Sequence, residues 1–187
     1  MSAAFLIGVK PRRRAAMAVA LGALLLGMLV AAEMAGVRVN ASASMPRGLW
    51  RVMRSDVPLR RGAVVALCLP DIPPMWEAVR RGYVPAGSCP GGFAPLIKPV
   101  AAVPGDVVQV TPAGVAVDGD PVANSLALAR DSAGRALHGM PAGVYPVAPG
   151  QVWVLSGHDR RSFDSRYFGP VPVHAIRGLA RPLWVFW

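Results

Sequence analysis

Few side chains in this sequence can hold a metal ion or a cofactor. Its 187 residues include two cysteines, two lysines and three histidines. The motifs H-E-x-x-H, C-x-x-C, G-x-S-x-G and G-x-x-x-x-G-K are all absent. We therefore expect no metal site and no cofactor. The histidines are scattered and are expected at the surface or in turns: His138, His158 and His174.

Proline is absent from one long stretch near the N-terminus, between Pro11 and Pro46. Within it, residues Ala15 to Ala32 carry no charge, and as a helix they would span about 27 Å, close to the bilayer core of about 30 Å. Basic residues precede this run, and positive residues stay cytoplasmic. We therefore expect a protein of the inner membrane with a cytoplasmic segment at residues 1–14, a transmembrane anchor at 15–35 and a periplasmic domain at 36–187.

A cleavable signal peptide is the alternative to this anchor. Ala41-Ser42-Ala43 resembles a cleavage site, and signal peptides also have a basic start and an apolar centre. That site lies well beyond the end of the apolar run at Ala32, with two charged residues between them. The run is also longer than a usual signal-peptide core. We therefore favour an uncleaved anchor.

Positive charge dominates, with a formal net charge of +10. Four of the positive charges precede the apolar run, which leaves +6 for residues 33–187. The other arginines lack the interleaved aromatic residues and the clustering of a nucleic-acid-binding surface. We expect them to face anionic lipid headgroups of the inner membrane, and we expect no nucleic acid as a partner. Several of them occur in pairs: Arg60-Arg61, Arg80-Arg81 and Arg160-Arg161.

Most of the 20 glycines and 19 prolines lie in the rest of the chain. Because both residues destabilise the interior of a helix, this composition excludes a helical bundle. Residues 71–92 break the pattern of short apolar segments, with one or two helical turns expected at Met75–Arg81. The predicted fold is mainly β, a sheet or a barrel-like domain. A turn at residues 111–114 would join two strands in a hairpin. The predicted strands are Ala63–Leu69, Val107–Val110, Val115–Val117, Val152–Leu155 and Val171–Leu179.

Both cysteines, Cys68 and Cys89, fall in the predicted periplasmic domain. Disulfides persist in that oxidising compartment. We expect a disulfide between them, which would close a loop of about twenty residues and stabilise the fold by about 3 kcal/mol in the chain-entropy model. Two unrelated buried thiols are the alternative.

Lys98 is the only lysine of the predicted periplasmic domain, and its neighbours are apolar. Arginine stays protonated, whereas burial lowers the pKa of a lysine, and a neutral lysine can take the proton of a serine hydroxyl. Lys98 is therefore a candidate general base. The alternative is a lysine that extends its ammonium from a strand end to solvent.

Ser44 is the candidate nucleophile. It lies about eleven residues beyond the apolar run, in the sequence NASASMPRGLW. Pro46 and Gly48 predict a turn that could present a serine at a cleft. Taken alone, this pattern is more typical of an ordinary loop serine.

Three segments together resemble the motifs of the type I signal peptidases. Ser42-Ala43-Ser44-Met45-Pro46 resembles their nucleophile box, and Lys98 with Val103-Pro104-Gly105-Asp106 resembles their lysine box. Residues 156–170, which include Ser162-Phe163-Asp164-Ser165-Arg166, resemble a third box. The boxes stand in the family's order behind the apolar run, and the likeness covers most of residues 40–182.

Within that superfamily, the chain most resembles the TraF-type conjugative transfer peptidases. The likeness rests on Asn40 ahead of Ser42-x-Ser44, on Pro46-x-Gly48-Leu49-Trp50, on the cysteine pair and on the segment from Ser162 to Pro170. His158-Asp159 stand where signal peptidases commonly have Asp-Asn, and no role is assigned to either residue.

The resemblance implies a serine endopeptidase with a Ser/Lys dyad. Ser44 would attack the scissile carbonyl, and neutral Lys98 would take its proton. Ser42 Oγ and the Ser44 N–H would form the oxyanion hole, in which one donor is typically worth about 3 kcal/mol. The third box would support the dyad, with Ser162 orienting Lys98 and an ion pair between Asp164 and Arg166 holding the segment.

The resemblance also implies the substrate, a precursor polypeptide bound as an extended strand. For the TraF-type group this is a pilin of a conjugation or type IV secretion apparatus. The resemblance implies that its acyl-enzyme is resolved either by water, which gives a linear product, or by the substrate's own amine, which gives a cyclic one. The sequence does not distinguish the two outcomes. Two alternatives stay open: a housekeeping signal peptidase that removes leader peptides from exported proteins, and an inactive structural subunit of a secretion complex.

Overall fold

A computed structural model of the chain describes residues 11–55 and 57–186. Most of the predicted cytoplasmic segment, including Lys10, lies outside the described residues. The chain divides into two compact units, Met1–Val37 and Arg38–Trp187.

The first unit contains one long helix, α1 (Pro11–Met34). Alanine and leucine, which favour helix, make up much of its sequence. It ends before Gly36, whose φ of 78° suits the residue that follows a helix. Within Arg13–Met34 an 18-residue window has a mean hydropathy of 2.4, and the helix is long and apolar enough to cross a membrane. This helix is compatible with the predicted anchor at 15–35.

The second unit is built on two sheets, which confirms the prediction of a mainly β fold. The larger sheet has the spatial order β1-β2-β11-β3-β4-β9-β10, and the smaller has the order β7-β6-β5-β8. The strands of the larger sheet are β1 (Val37–Asn40), β2 (Arg47–Met53), β3 (Val64–Leu67), β4 (Leu96–Ala102), β9 (Gln151–Val154), β10 (Val171–Pro172) and β11 (Ile176–Phe186). The strands of the smaller sheet are β5 (Val107–Thr111), β6 (Gly114–Val117), β7 (Asp120–Pro121) and β8 (Gly143–Pro146).

The predicted hairpin is present, with β5 and β6 paired antiparallel from Val108↔Val117 to Thr111↔Gly114. The helical turns expected at Met75–Arg81 form α2 (Pro73–Arg80). Its apolar face buries Met75 and Ala78. A further short helix, α3, spans Ser165–Phe168.

The prediction of a single strand at Val171–Leu179 is wrong. β10 pairs with β9 at an edge of the larger sheet, whereas β11 lies between β2 and β3. The chain has to leave the sheet to move between these positions, and it does so through a 3₁₀ turn at Val173–Ala175. Apolar periodicity continues across that turn, so the sequence pattern did not reveal the break.

The main core lies against the centre of the larger sheet, around Leu67, Val100, Val152 and Phe168. A disulfide joins Cys68 and Cys89 in this core, with a Cα–Cα distance of 5.5 Å. The pairing is the one expected from the sequence, and it fastens the loop after α2 to the end of β3.

Gly48 allows two strands to pair closely beside the candidate nucleophile. Its φ is +132°, and a Cβ at this position would lie 2.2 Å from the carbonyl oxygen of Trp184. β2 and β11 pair here, with Gly48 opposite Val185. Any larger residue at position 48 would therefore separate the strand that follows Ser44 from its neighbour.

Candidate active site

Lys98 lies in the interior of the larger sheet. It is the third residue of β4, which is flanked by β3 and β9, and it pairs with Val65. The residue is only 3% exposed. The alternative of a lysine that extends to solvent is therefore wrong, because almost none of this residue is exposed.

The amine of Lys98 is held by a neutral partner. Its Nζ donates a hydrogen bond to Ser162 Oγ at 2.8 Å, in a buried setting. Burial is the largest influence on its pKa, which falls from 10.5 to about 8. Asp164 raises this pKa and Arg166 lowers it, so the two charges of that pair oppose one another at Lys98.

Asp164 and Arg166 form the ion pair that the sequence predicted. Both side chains are fully buried, with Arg166 Nε 2.7 Å from Asp164 Oδ1 and Nη2 3.0 Å from Oδ2. Asp164 also caps α3 by accepting from the Arg166 N–H. The guanidinium donates further to three main-chain carbonyls, those of Asn124, Ser156 and Arg160. These bonds fix the segment that carries Ser162.

Ser44 lies in the turn between β1 and β2 and is half-buried. Its carbonyl accepts a hydrogen bond from the Oγ of Ser156, a fully buried residue of the third box. The main-chain N–H of Ser156 donates to Asp164 Oδ2 at 3.0 Å. The turn that carries Ser44 is therefore attached, through Ser156, to the same ion pair that supports Ser162.

Apolar packing connects the turn that carries Ser44 to β4, the strand of Lys98. Met45 packs in one cluster with Trp50, Ile97 and Ala180, and Ile97 directly precedes Lys98. The three predicted boxes thus meet in the structure. In the part of the chain that the structure describes, the hydrogen bond of Lys98 Nζ goes to Ser162 and none joins it to Ser44.

Ser42 stands at the exposed start of the same turn. Its hydroxyl donates to Asn40 Oδ1 at 2.8 Å, and its N–H donates to the same oxygen at 3.2 Å. This local pattern is an Asx turn. The hydroxyl expected to serve the oxyanion hole is therefore engaged by Asn40.

Sequence reasoning assigned no role to two residues that hold this turn, Asn40 and Ser156. An asparagine two residues before a serine, at the start of a turn that contains proline, is a signal for such side-chain bonding. Ser156 carried no comparable signal, because its contact to Ser44 spans 112 residues of sequence. Among residues 11–55 and 57–186, no group of three His, Cys, Asp or Glu side chains is placed to hold a metal ion.

Comparison with known proteins adds to this geometry. The family model described as "Signal peptidase, peptidase S26" matches residues 12–186. A "Conjugal transfer protein TraF" of Agrobacterium fabrum strain C58 is 44% identical over 165 residues, which cover 88% of this chain and 92% of the relative. A "Plasmid transfer protein TraF" of Escherichia coli is 37% identical over 153 residues, which cover 82% of this chain and 85% of the relative.

Proposed function

The chain belongs to the signal peptidase family, peptidase S26, and on that premise we propose that it is a membrane-anchored serine endopeptidase with Ser44 as nucleophile and Lys98 as general base. The observation that carries the proposal is Lys98, a lysine inside a sheet, held by Ser162 at 2.8 Å and with a pKa lowered to about 8. An ordinary lysine, with a pKa near 10.4, would be neutral in fewer than about one molecule in a thousand at pH 7. With a pKa of about 8, roughly one in ten is neutral.

In the proposed reaction, Ser44 Oγ attacks the scissile carbonyl carbon while its proton passes to Lys98 Nζ. The carbonyl oxygen becomes an oxyanion, and the amide C–N bond then breaks as Lys98 returns the proton to the leaving amine. An acyl-enzyme ester on Ser44 remains. Lys98 next takes a proton from water or from the substrate's own amine, which attacks the ester. As the ester C–O bond breaks, Lys98 gives that proton to Ser44 Oγ, which regenerates both residues. Water gives a linear product, and the amine gives a cyclic one.

The oxyanion would be bound by the Ser44 N–H and by Ser42 Oγ. Because the Ser42 hydroxyl donates to Asn40 Oδ1 in the free enzyme, it has to rotate toward the substrate to fill this role. A hydroxyl rotates readily, and catalytic hydrogen bonds often form only in the complex with substrate. The free geometry is therefore consistent with the oxyanion role of Ser42.

We propose that the substrate is a pilin-like precursor of a conjugation or type IV secretion apparatus. The names of the relatives, which refer to conjugal and plasmid transfer, support this over a housekeeping role. The buried, bonded Lys98 beside an intact Ser44 box supports an active enzyme over an inactive structural subunit. The relatives' names do not say whether the product is linear or cyclic, so the experiment has to distinguish these two products.

We also propose that α1 is an uncleaved anchor, which places residues 36–187 in the periplasm. The position of β1 supports this. Cleavage after Ala43 would remove β1 from the larger sheet, together with Asn40 and Ser42. The loss of these residues would take the candidate site apart, so cleavage at this point would leave the mature enzyme inactive.

Co-expression of the full chain with the pilin precursor of the same transfer system tests this proposal. Mass spectrometry of the pilin should show a shortened product with wild type and only the precursor with Ser44→Ala. A product lighter than the linear form by one water would identify cyclisation. Ser55→Ala is the matched control, because Ser55 lies on an exposed loop, and among the described residues its hydroxyl only accepts a hydrogen bond from the N–H of Val57. Processing by Ser44→Ala would overturn the proposal. Processing of unrelated exported preproteins, with the pilin left intact, would favour the housekeeping alternative.

A further inference from the structure

Asn40 lies buried at the end of β1, 9% exposed, and its side chain binds the turn that carries Ser44. Its Nδ2 lies 3.1 Å from the carbonyl oxygen of Ser42, and 3.0 Å from each of the carbonyl oxygens of Met45 and Pro46. Its Oδ1 accepts from the N–H and the hydroxyl of Ser42. We propose that Asn40 is a positioning residue, which holds this turn in the conformation that presents Ser44 to the substrate.

The bonds of Asn40 connect the two ends of the turn. Ser42 stands before Ser44, and Met45 and Pro46 stand after it, so one side chain fixes the main chain on both sides of the nucleophile. An amide carries two N–H hydrogens, and here three carbonyls converge on them. Alanine could supply none of these bonds, and aspartate could supply only the acceptor.

Ser156 complements Asn40. Asn40 ties the turn to itself, whereas Ser156 ties the Ser44 carbonyl to the segment that carries Asp164. The carbonyls of residues 42, 44, 45 and 46 are thereby each bound by a buried side chain. Asn40 therefore holds the conformation of the turn, and Ser156 holds the turn against the segment that carries Asp164.

The position of Asn40 predicts a specific kinetic effect, which rests on the proposed function. Asn40 is buried behind the turn, so its loss should leave substrate binding nearly intact. The misplacement of Ser44 and of the Ser42 hydroxyl should instead slow the chemical step, and a displacement of about 1 Å can cost about 100-fold. The charged groups that act on the pKa of Lys98 are Asp164, Arg166 and Asp159, so Asn40 should not move the pH dependence.

The test uses the full chain in detergent micelles with the purified pilin precursor as substrate. For Asn40→Ala we expect kcat to fall about 100-fold, with KM within about threefold of wild type and the midpoint of the pH profile unchanged. Asn40→Asp keeps an acceptor for Ser42 but sets a carboxylate against the carbonyls of Met45 and Pro46. We expect it to be at least as slow as Asn40→Ala. Near wild-type turnover in either variant would overturn the proposal.

Ser125→Ala is the matched control for a merely structural loss. Ser125 is also buried, and its Oγ bonds main-chain groups of Val115, in β6 of the smaller sheet, and of Val122, which directly follows β7. We expect this variant to lower the melting temperature while kcat stays within about twofold of wild type. If the loss of kcat in Asn40→Ala matches the unfolded fraction measured by circular dichroism at the assay temperature, the positioning role is overturned.

The two proposals fail in different ways. An enzyme that needs Ser44 for processing but tolerates Asn40→Ala would overturn the positioning role and leave the proposed function in place. An enzyme that processes the precursor without Ser44 would overturn both. The comparison of Ser44→Ala with Asn40→Ala in one assay therefore separates them.

Discussion

The amine of Lys98 donates to the hydroxyl of Ser162 at 2.8 Å, and this partner carries no charge. A carboxylate in its place would stabilise the ammonium form and raise the pKa of Lys98. The nearby carboxylate of Asp164 is instead paired with Arg166. The site can therefore orient a lysine without forcing it to stay protonated, which is what a general base near neutral pH requires.

The first prediction concerns the pH dependence of turnover. Because Lys98 has to be neutral to accept a proton, and burial lowers its pKa to about 8, kcat/KM should rise with pH around a midpoint near 8. The check is the rate of precursor processing between pH 6 and pH 10. Lys98→Arg should be as inactive as Lys98→Ala at every pH, since arginine stays protonated. An active arginine variant would remove Lys98 from the role of base.

The second prediction is that an inactive variant is more stable than wild type. Below pH 8 the folded protein holds Lys98 in a setting that disfavours its charge, and the shift from 10.5 to about 8 corresponds to about 3 kcal/mol. Lys98→Met removes this penalty but leaves Ser162 without its partner, which costs about 1 kcal/mol. We expect Lys98→Met to be about 2 kcal/mol more stable at pH 6 by urea denaturation.

The pH dependence of the stability difference between Lys98→Met and wild type follows from proton binding. Between pH 8 and pH 10.5 the unfolded wild type binds the Lys98 proton while the folded protein has lost it, so the stability of wild type rises with pH. The advantage of Lys98→Met should shrink across this interval and be gone above it. An advantage that is constant from pH 6 to pH 11 would contradict the lowered pKa.

The third prediction concerns the buried ion pair. Arg166→Met would leave the Asp164 carboxylate buried without its partner and three main-chain carbonyls without their donor. Breaking a buried pair in this way costs about 3 to 5 kcal/mol. Chemical denaturation of the two proteins at pH 7 measures it. The control is Arg61→Met, because Arg61 pairs with Asp106 and Asp118 while 39% exposed, and its loss should cost far less. Equal losses in the two variants would show that the buried pair has no special role.

The fourth prediction concerns the disulfide. Replacing Cys68 and Cys89 with alanine should lower the free energy of unfolding by about 3 kcal/mol, since the closed loop spans 21 residues. Processing should persist, because both cysteines pack in the main core, and the described hydrogen bonds of Lys98, Ser162 and the Ser44 carbonyl do not involve them. Intact-mass measurement of the non-reduced wild type checks the premise. Two alkylatable thiols in the full chain purified from membranes would contradict it.

Local sequence patterns predicted the elements whose partners are close in the chain. The hairpin of β5 and β6 was found because both strands and their turn lie within one short segment. α2 was predicted as one or two turns, because the residues after Asp71 break the pattern of short apolar segments. Pro73 and Pro74, which begin the helix, were outside the predicted range. β1 and β2, on either side of Ser44, were missed, because β1 is only four residues long and the seven residues of β2 include a glycine and two arginines that break the pattern of a continuous apolar strand.

The candidate site was predicted through its three boxes, not through composition. The low lysine count drew attention to Lys98, but only the packing of the folded chain shows that its amine is buried. The bond from Ser156 to Ser44 depends on how distant segments pack, and no spacing in the sequence encodes it. Asn40 is the intermediate case, since its Asx turn is a local feature whose importance appears only when the turn's other carbonyls are seen to converge on it.

We propose that Lys98 loses its proton near neutral pH and serves as the base for Ser44, and its titration can be measured directly. Since the chain has two lysines, Lys10→Arg leaves Lys98 as the single one. The NMR signals of this side chain, in the full chain labelled with ¹³C,¹⁵N-lysine in micelles, can then be followed directly against pH. We expect the Lys98 amine to titrate with a midpoint near 8 that coincides with the midpoint of precursor processing. A midpoint at the ordinary lysine value of about 10.4, or a processing midpoint that the amine does not share, would contradict it.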